Sequence, residues 1–151
     1  MALKISALVV AIFILTHCKT KSIESDLSKS SAQVPAIAGF DSFFNHFHED
    51  SVYQLSHIVF PLEGLPEQDD TISNLNNFRW SPDQWILHRA YDMGDSLFAR
   101  EFKIMDSTMI IERIYHRLSA MHMERRFSKT GTEWSLIYYA PLRARINIEI
   151  N

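Results

Sequence analysis

One cysteine, four glycines and no block of lysine and arginine are found among the 151 residues of this chain. The lone Cys18 permits no intramolecular disulfide and no cysteine-based zinc site. The formal charge is −3, and it becomes −4 when residues 1–17, whose only charged side chain is Lys4, are set aside. A mildly acidic domain without a basic cluster lacks the electrostatic footprint of a nucleic-acid binder, and that class is excluded. No histidine pair has a metal-binding spacing such as H-E-x-x-H, and no nucleophile elbow, phosphate loop or dinucleotide fingerprint is present. Neither a metal nor a cofactor is expected.

What is present is apolar surface. A hydrophobic fraction of 46%, with 12% aromatic, suffices for the core of one domain once the N-terminus is set aside. Met1-Ala-Leu-Lys4 reads as a positive n-region, and Ile5 to Leu15 as an apolar run of signal-peptide length, too short to span a bilayer comfortably. The run ends in Leu15-Thr16-His17-Cys18, which resembles a bacterial lipoprotein signal with Cys18 as the lipidated first residue. His17 departs from the small residue usual at that place. An uncleaved anchor or an ordinary secretory signal are the other readings, and all three export the domain. The expected organisation is a signal peptide over 1–17, a Ser- and Lys-rich tether over 18–38 and one domain over 39–151.

The domain opens on four phenylalanines. Phe40, Phe43, Phe44 and Phe47 fall at i, i+3, i+4 and i+7, the apolar stripe of a helix from Phe40 to Glu49, with His46 and His48 expected in solvent. Ser51 to Gln54 matches a capping box, with Ser51 as N-cap, for a helix of about two turns. Ile58, Phe60 and Leu62 then alternate as a strand, which Pro61 places at an edge or near its end. Residues 63–79 read as a loop with room for one short strand pair. Ser81 to Gln84 is a second capping box, with Pro82 at the first helical position, and it delivers Trp85.

Strands are expected over Ile86 to Asp92, Leu97 to Met105, Thr108 to His116, Ala120 to Lys129 and Glu133 to Ala140. Gly94 and Gly131 supply turns, and the tail alternates through Ile146, Ile148 and Ile150. Helices followed by hairpin-connected strands make an α+β arrangement, with a curved antiparallel sheet wrapped around the phenylalanine stripe.

The segments F-x-x-F-F-x-x-F, Asp50 to Gly64, Trp80 to Arg89, and Glu124 to Tyr139 with its W-x-L-I-Y-Y run resemble an uncharacterised family of Gram-negative lipoproteins, domain of unknown function 4348. The resemblance covers about residues 38–142, and Asp50 to Leu62 is its most specific part. It implies a cystatin-like cone of the nuclear-transport-factor-2 and ketosteroid-isomerase type, closed on its open side by helices. It brings no established activity, because that superfamily holds isomerases, dehydratases and non-catalytic binders. It also implies that a homodimer could form through the outer face of the sheet.

Strand parity puts one arginine on the apolar side of each of three stretches: Arg89, Arg100 and Arg125. A buried guanidinium needs a partner, and Glu101, Glu112 and Glu124 are the internal candidates. Any positive charge left over suits an anionic ligand, while stems that reach solvent or carboxylates would make the three purely structural. Catalysis would need a base and an oxyanion donor, with His57, His88 or Glu112 as base and Tyr91, Tyr115 or Tyr138 as donor. No motif selects among them.

The leading expectation is a non-enzymatic domain, anchored by lipid at Cys18 on the periplasmic face of the envelope, that binds a small ligand or a protein partner. A hydratase or isomerase using His88 or Glu112, and a structural envelope protein, are the competing readings.

Overall fold

The computed structural model describes residues 29–67, 77–94 and 97–144. The expected signal peptide, Cys18, Asp95 of one expected turn and the alternating tail lie outside the described residues. In chain order the elements are β1 (Lys29–Ser31), α1 (Phe40–Glu49), α2 (Ser51–Ser56), β2 (Ile58–Gly64), β3 (Arg79–Trp80), a 3-10 turn (Pro82–Gln84), β4 (Phe98–Ile104), β5 (Met109–His116), β6 (Met121–Thr130) and β7 (Glu133–Ala144). They form an α+β domain of two short helices and an open sheet ordered β1-β4-β5-β6-β7-β2-β3.

The sheet is mixed rather than antiparallel throughout. β2 runs parallel to β7, and the other neighbouring pairs are antiparallel. Parallel pairing is open to β2 because it enters from α2, with β3 to β6 intervening before its partner. The β2–β7 register is irregular between Ile58 and Glu63, the interval that holds Pro61. Proline has no N–H to give to a ladder, so the interruption falls there.

Three cross-strand rows face the helices. One joins Ile104, Ile110, Phe127 and Leu136; the next joins Phe102, Glu112, Arg125 and Tyr139; the third joins Arg100, Ile114 and Met123. α1 lies over this face with the stripe that its spacing predicts. Phe127 is the anvil: the rings of Phe40, Phe43, Phe44 and Phe47 stand 5.4, 5.8, 5.9 and 5.8 Å from it. Phe40 also meets Trp134 at 5.0 Å and Phe102 at 6.1 Å in edge-on contacts. Each buried phenylalanine contributes roughly 1.5–3 kcal/mol, so this stripe is the main reason α1 stays on the sheet.

Several expectations change. The N-cap of α2 is Asp50, whose Oδ1 accepts from Val52 N at 2.8 Å and Tyr53 N at 3.0 Å, and not Ser51. The longer Asp side chain is already in position one residue earlier, which frees Gln54 for the interior. Within the expected tether, Lys29–Ser31 forms a strand on β4. The expected strand from Ile86 to Asp92 is absent, and residues 85–92 are irregular. Its backbone is engaged by a side chain instead of a ladder: Gln54 Nε2 donates to His88 O and His88 N donates to Gln54 Oε1. The short strand pair expected inside 63–79 is found instead at the ends of that stretch, where Leu62 and Glu63 of β2 pair with Trp80 and Arg79 of β3. The 3-10 turn forms at Ser81 to Gln84, where Ser81 N and Oγ both donate to Gln84 Oε1.

Candidate functional site

The inner face carries a charged cluster under the C-terminal turn of α1. Glu112 and Arg125 sit opposite one another on β5 and β6, and Arg125 Nε donates to Glu112 Oε2 at 2.7 Å. Both are essentially inaccessible, at 0% and 1% exposure. A lone buried charge would be very costly, so this pair holds only as a pair.

His48 completes the cluster from above. It is 4% exposed, contrary to the expectation of a solvent-facing ring. Arg125 Nη1 donates to its Nε2 at 2.7 Å, and its Nδ1 donates to Phe44 O at 2.7 Å. A guanidinium has no lone pair to give, so Nε2 must accept and the proton must sit on Nδ1. Burial, and then the charge of Arg125, push the His48 pKa down to about 4. Its placement follows from the stripe: His48 stands eight residues after Phe40, the position that closes an i, i+3, i+4, i+7, i+8 face.

His88 approaches from the irregular segment. Its ring packs on Trp85 at 4.4 Å and on Tyr139 at 4.6 Å, and Tyr139 lies opposite Arg125. Burial, and then Arg125, push its pKa down to about 3. Gln54 fixes the segment with four hydrogen bonds: Nε2 to Phe47 O and His88 O, and Oε1 from His88 N and Trp85 Nε1.

Arg100 differs from its neighbours. Its guanidinium lies 5.3 Å from the ring of Phe102 and 5.9 Å from that of Phe44. Its buried Nε has no hydrogen-bond partner, and no carboxylate pairs with it among the described residues. Glu112 Oε1 and His88 Nδ1 are likewise buried and unpartnered. Arg100 faces Ile114, two residues from Glu112, so it is the diagonal neighbour of the ion pair.

The three arginines expected on the apolar side therefore gather at one turn of one helix. Arg125 bonds His48, Arg89 Nη1 donates to Glu49 O at 3.2 Å, and Arg100 packs on Phe44. Their settings differ: Arg89 is exposed, Arg100 half-buried and Arg125 buried. A cleft of about 80 Å³ opens there, lined by Phe44, Asn45, His48, Glu49 and Ala90.

Of the catalytic candidates, His88 and Glu112 belong to this cluster, while Tyr91 packs on Phe98 at 5.3 Å near the start of β4. His57 caps α2 and donates from Nδ1 to Tyr53 O. Tyr115 and Tyr138 lie on the opposite face of the sheet, Tyr138 beneath Arg126. Glu124 is on that face too and holds Arg113 and Arg126 at 2.8 and 2.7 Å. Burial opposes its charge, but these two arginines outweigh burial and keep its pKa below the usual carboxylate range. Sequence reasoning missed His48, Gln54 and Tyr139 as parts of the cluster.

Larger clefts lie elsewhere among the described residues. One of about 500 Å³ is lined by Phe43, Tyr53, His57, Glu133 and Trp134 among others. Another of about 310 Å³ opens on the outer face between Glu101, Arg113, Tyr115, His122 and Glu124 and the β5–β6 turn. Among the described residues no helix is long and apolar enough to cross a membrane, and no cluster of His, Cys, Asp or Glu is placed to hold a metal ion. No family model, curated protein or solved structure matches the chain.

Proposed function

We propose that this chain is an exported, non-enzymatic binding domain, held on the periplasmic face of the envelope by lipid at Cys18, that takes a small anion on the inner face of its sheet. The observation that carries this is Arg100. Among the described residues the inner face of the sheet sets Arg100 and Arg125 against one carboxylate, Glu112, and burial keeps His48 and His88 neutral. One positive charge is left without a counter-charge beside a cleft, and a half-buried guanidinium suits an oxyanion. In this reading the sheet is a nuclear-transport-factor-2-like cone of the lipoprotein family that the sequence resembles. The helices-then-strands order and the packing of α1 across the sheet support it. The test is titration of the full chain in detergent with sodium sulfate. Saturable binding that disappears in Arg100→Met is expected; binding unchanged by that substitution overturns the proposal.

Two observations favour other readings. The cleft beside α2 places His57 and Glu133 next to Tyr53, the residue types that a hydratase or isomerase needs. Turnover of an unsaturated carbonyl compound that is lost in His57→Ala would establish the enzyme. Leu97, Tyr115, Leu118 and Met121 are exposed together at the β5–β6 turn, beside the outer cleft. A structural protein or homodimer would cover them, and light scattering of the full chain decides whether a second copy does.

A further inference from the structure

We propose that the anion enters this site together with a proton on His48, so that the ligand is a small, fully ionised oxyanion bound more tightly as pH falls. The inference rests on the anion-binding reading above and adds its regulation. Both ring nitrogens of His48 are already used: Nε2 accepts from Arg125 and Nδ1 donates to Phe44 O. A second proton would lie on Nε2, pointing at a guanidinium nitrogen 2.7 Å away that has no lone pair. Donor would face donor and positive charge would face positive charge, so the ligand-free site refuses the proton. The depressed His48 pKa agrees with this geometry.

An anion reverses that balance. An oxyanion in the cleft, which His48 lines, offers acceptor oxygens to a protonated Nε2, while Arg125 and Arg100, which stand behind the lining residues His48 and Phe44, supply the positive field that holds it. The charged and titratable groups around the ring are Arg125 from β6, Arg100 from β4, Glu112 on β5 behind Arg125, His88 from the segment after the 3-10 turn, Arg89 at the rim, and Glu49 on α1 itself. Arg89, Arg100, Arg125 and a protonated His48 exceed Glu49 and Glu112 by two positive charges, which matches a dianion. The cleft of about 80 Å³ has room for an ion of the size of sulfate or phosphate. By linkage the anion must then raise the proton affinity of His48 by the factor by which the proton raises anion affinity.

Sulfate is the probe, because its charge stays constant through the range in which histidine titrates. The full chain in detergent is titrated with sulfate at several pH values, alongside Arg100→Met and His48→Gln, whose side-chain oxygen can still accept from Arg125. A rise in affinity of about tenfold from about pH 7 to about pH 5 is expected for the unmodified chain. His48→Gln is expected to bind with a flat profile, and the His48 ring signals should titrate at higher pH when sulfate is present. Arg100-dependent binding with no pH dependence, or an equal slope in His48→Gln, overturns the proton linkage alone. No sulfate binding at any pH overturns both the linkage and the anion reading beneath it.

Discussion

Arg125 on β6 is bound to His48 on α1 through a 2.7 Å contact, and this is the polar bolt between helix and sheet. The surrounding contacts are aromatic rings, which set distance but little direction. The Arg125–His48 bond, backed by Glu112 at 2.7 Å, adds direction to the docking of α1.

Breaking that arrangement from one side should be severe. Arg125→Met leaves Glu112 as a buried carboxylate without its partner, and a loss of about 3–5 kcal/mol is expected in urea denaturation. Replacing both, as Arg125→Met with Glu112→Leu, should recover most of the loss, because the second change removes the stranded charge. A loss in the double variant equal to the sum of the losses in Arg125→Met and Glu112→Leu alone would show that the pair is not coupled.

Stability should fall in mild acid. His48 and His88 have folded-state pKa values of about 4 and about 3, below the ordinary value of 6.5, so the folded chain binds fewer protons than the unfolded one. Their contribution is fully present above about pH 6.5 and is lost as pH falls towards those lower values, by about 3 kcal/mol for His48 alone. Denaturation midpoints measured across that window check this. His48→Gln should flatten part of the slope, and an unchanged slope would remove His48 from the account.

Gln54→Leu keeps much of the side-chain volume but removes all four hydrogen bonds that tie α1, α2 and the segment around His88. Two backbone groups of His88 and the Trp85 indole lose their partner, so a loss of about 3 kcal/mol or more is expected. Amide exchange should speed up most at residues 85–89. Uniform exchange across the domain would argue against a local clamp.

Gly64→Ala tests the close approach of β2 to β7. A Cβ there would lie 1.9 Å from the carbonyl oxygen of Tyr139 and 2.9 Å from Trp80 Nε1. That oxygen also accepts from Leu65 N at 3.0 Å and from Trp80 Nε1 at 3.3 Å, so it is not free to retreat. A loss of at least about 2 kcal/mol is expected from forcing a packed backbone apart. A melting temperature equal to that of the parent chain would contradict this geometry.

Much of the fold is legible along the chain because its signals are local. The phenylalanine stripe marks α1 over Phe40–Glu49, and alternation places β4, β5, β6 and the first part of β7 near their observed ranges. Two capping boxes look alike in sequence, yet only Ser81 to Gln84 closes on itself. At the other, Asp50 takes the cap and Gln54 turns inward, because a packed interior offered it four partners. The strand pattern of Ile86 to Asp92 fails for the same reason. The backbone N–H and C=O of His88, near its middle, are taken by Gln54, 34 residues earlier.

By itself the sequence determined which residues are apolar, in what period, and hence the α+β class and the one aromatic stripe that binds helix to sheet. Only the tertiary structure decided that β2 would lie parallel to β7, since pairing partners far apart in the chain leave no local trace. It also decided the state of the three arginines. Parity could say that Arg89, Arg100 and Arg125 alternate with apolar neighbours, but partnership depends on what crosses above them. His48 and Glu112 came within 2.7 Å of Arg125, Glu49 O came within 3.2 Å of Arg89, and nothing polar reached the Nε of Arg100.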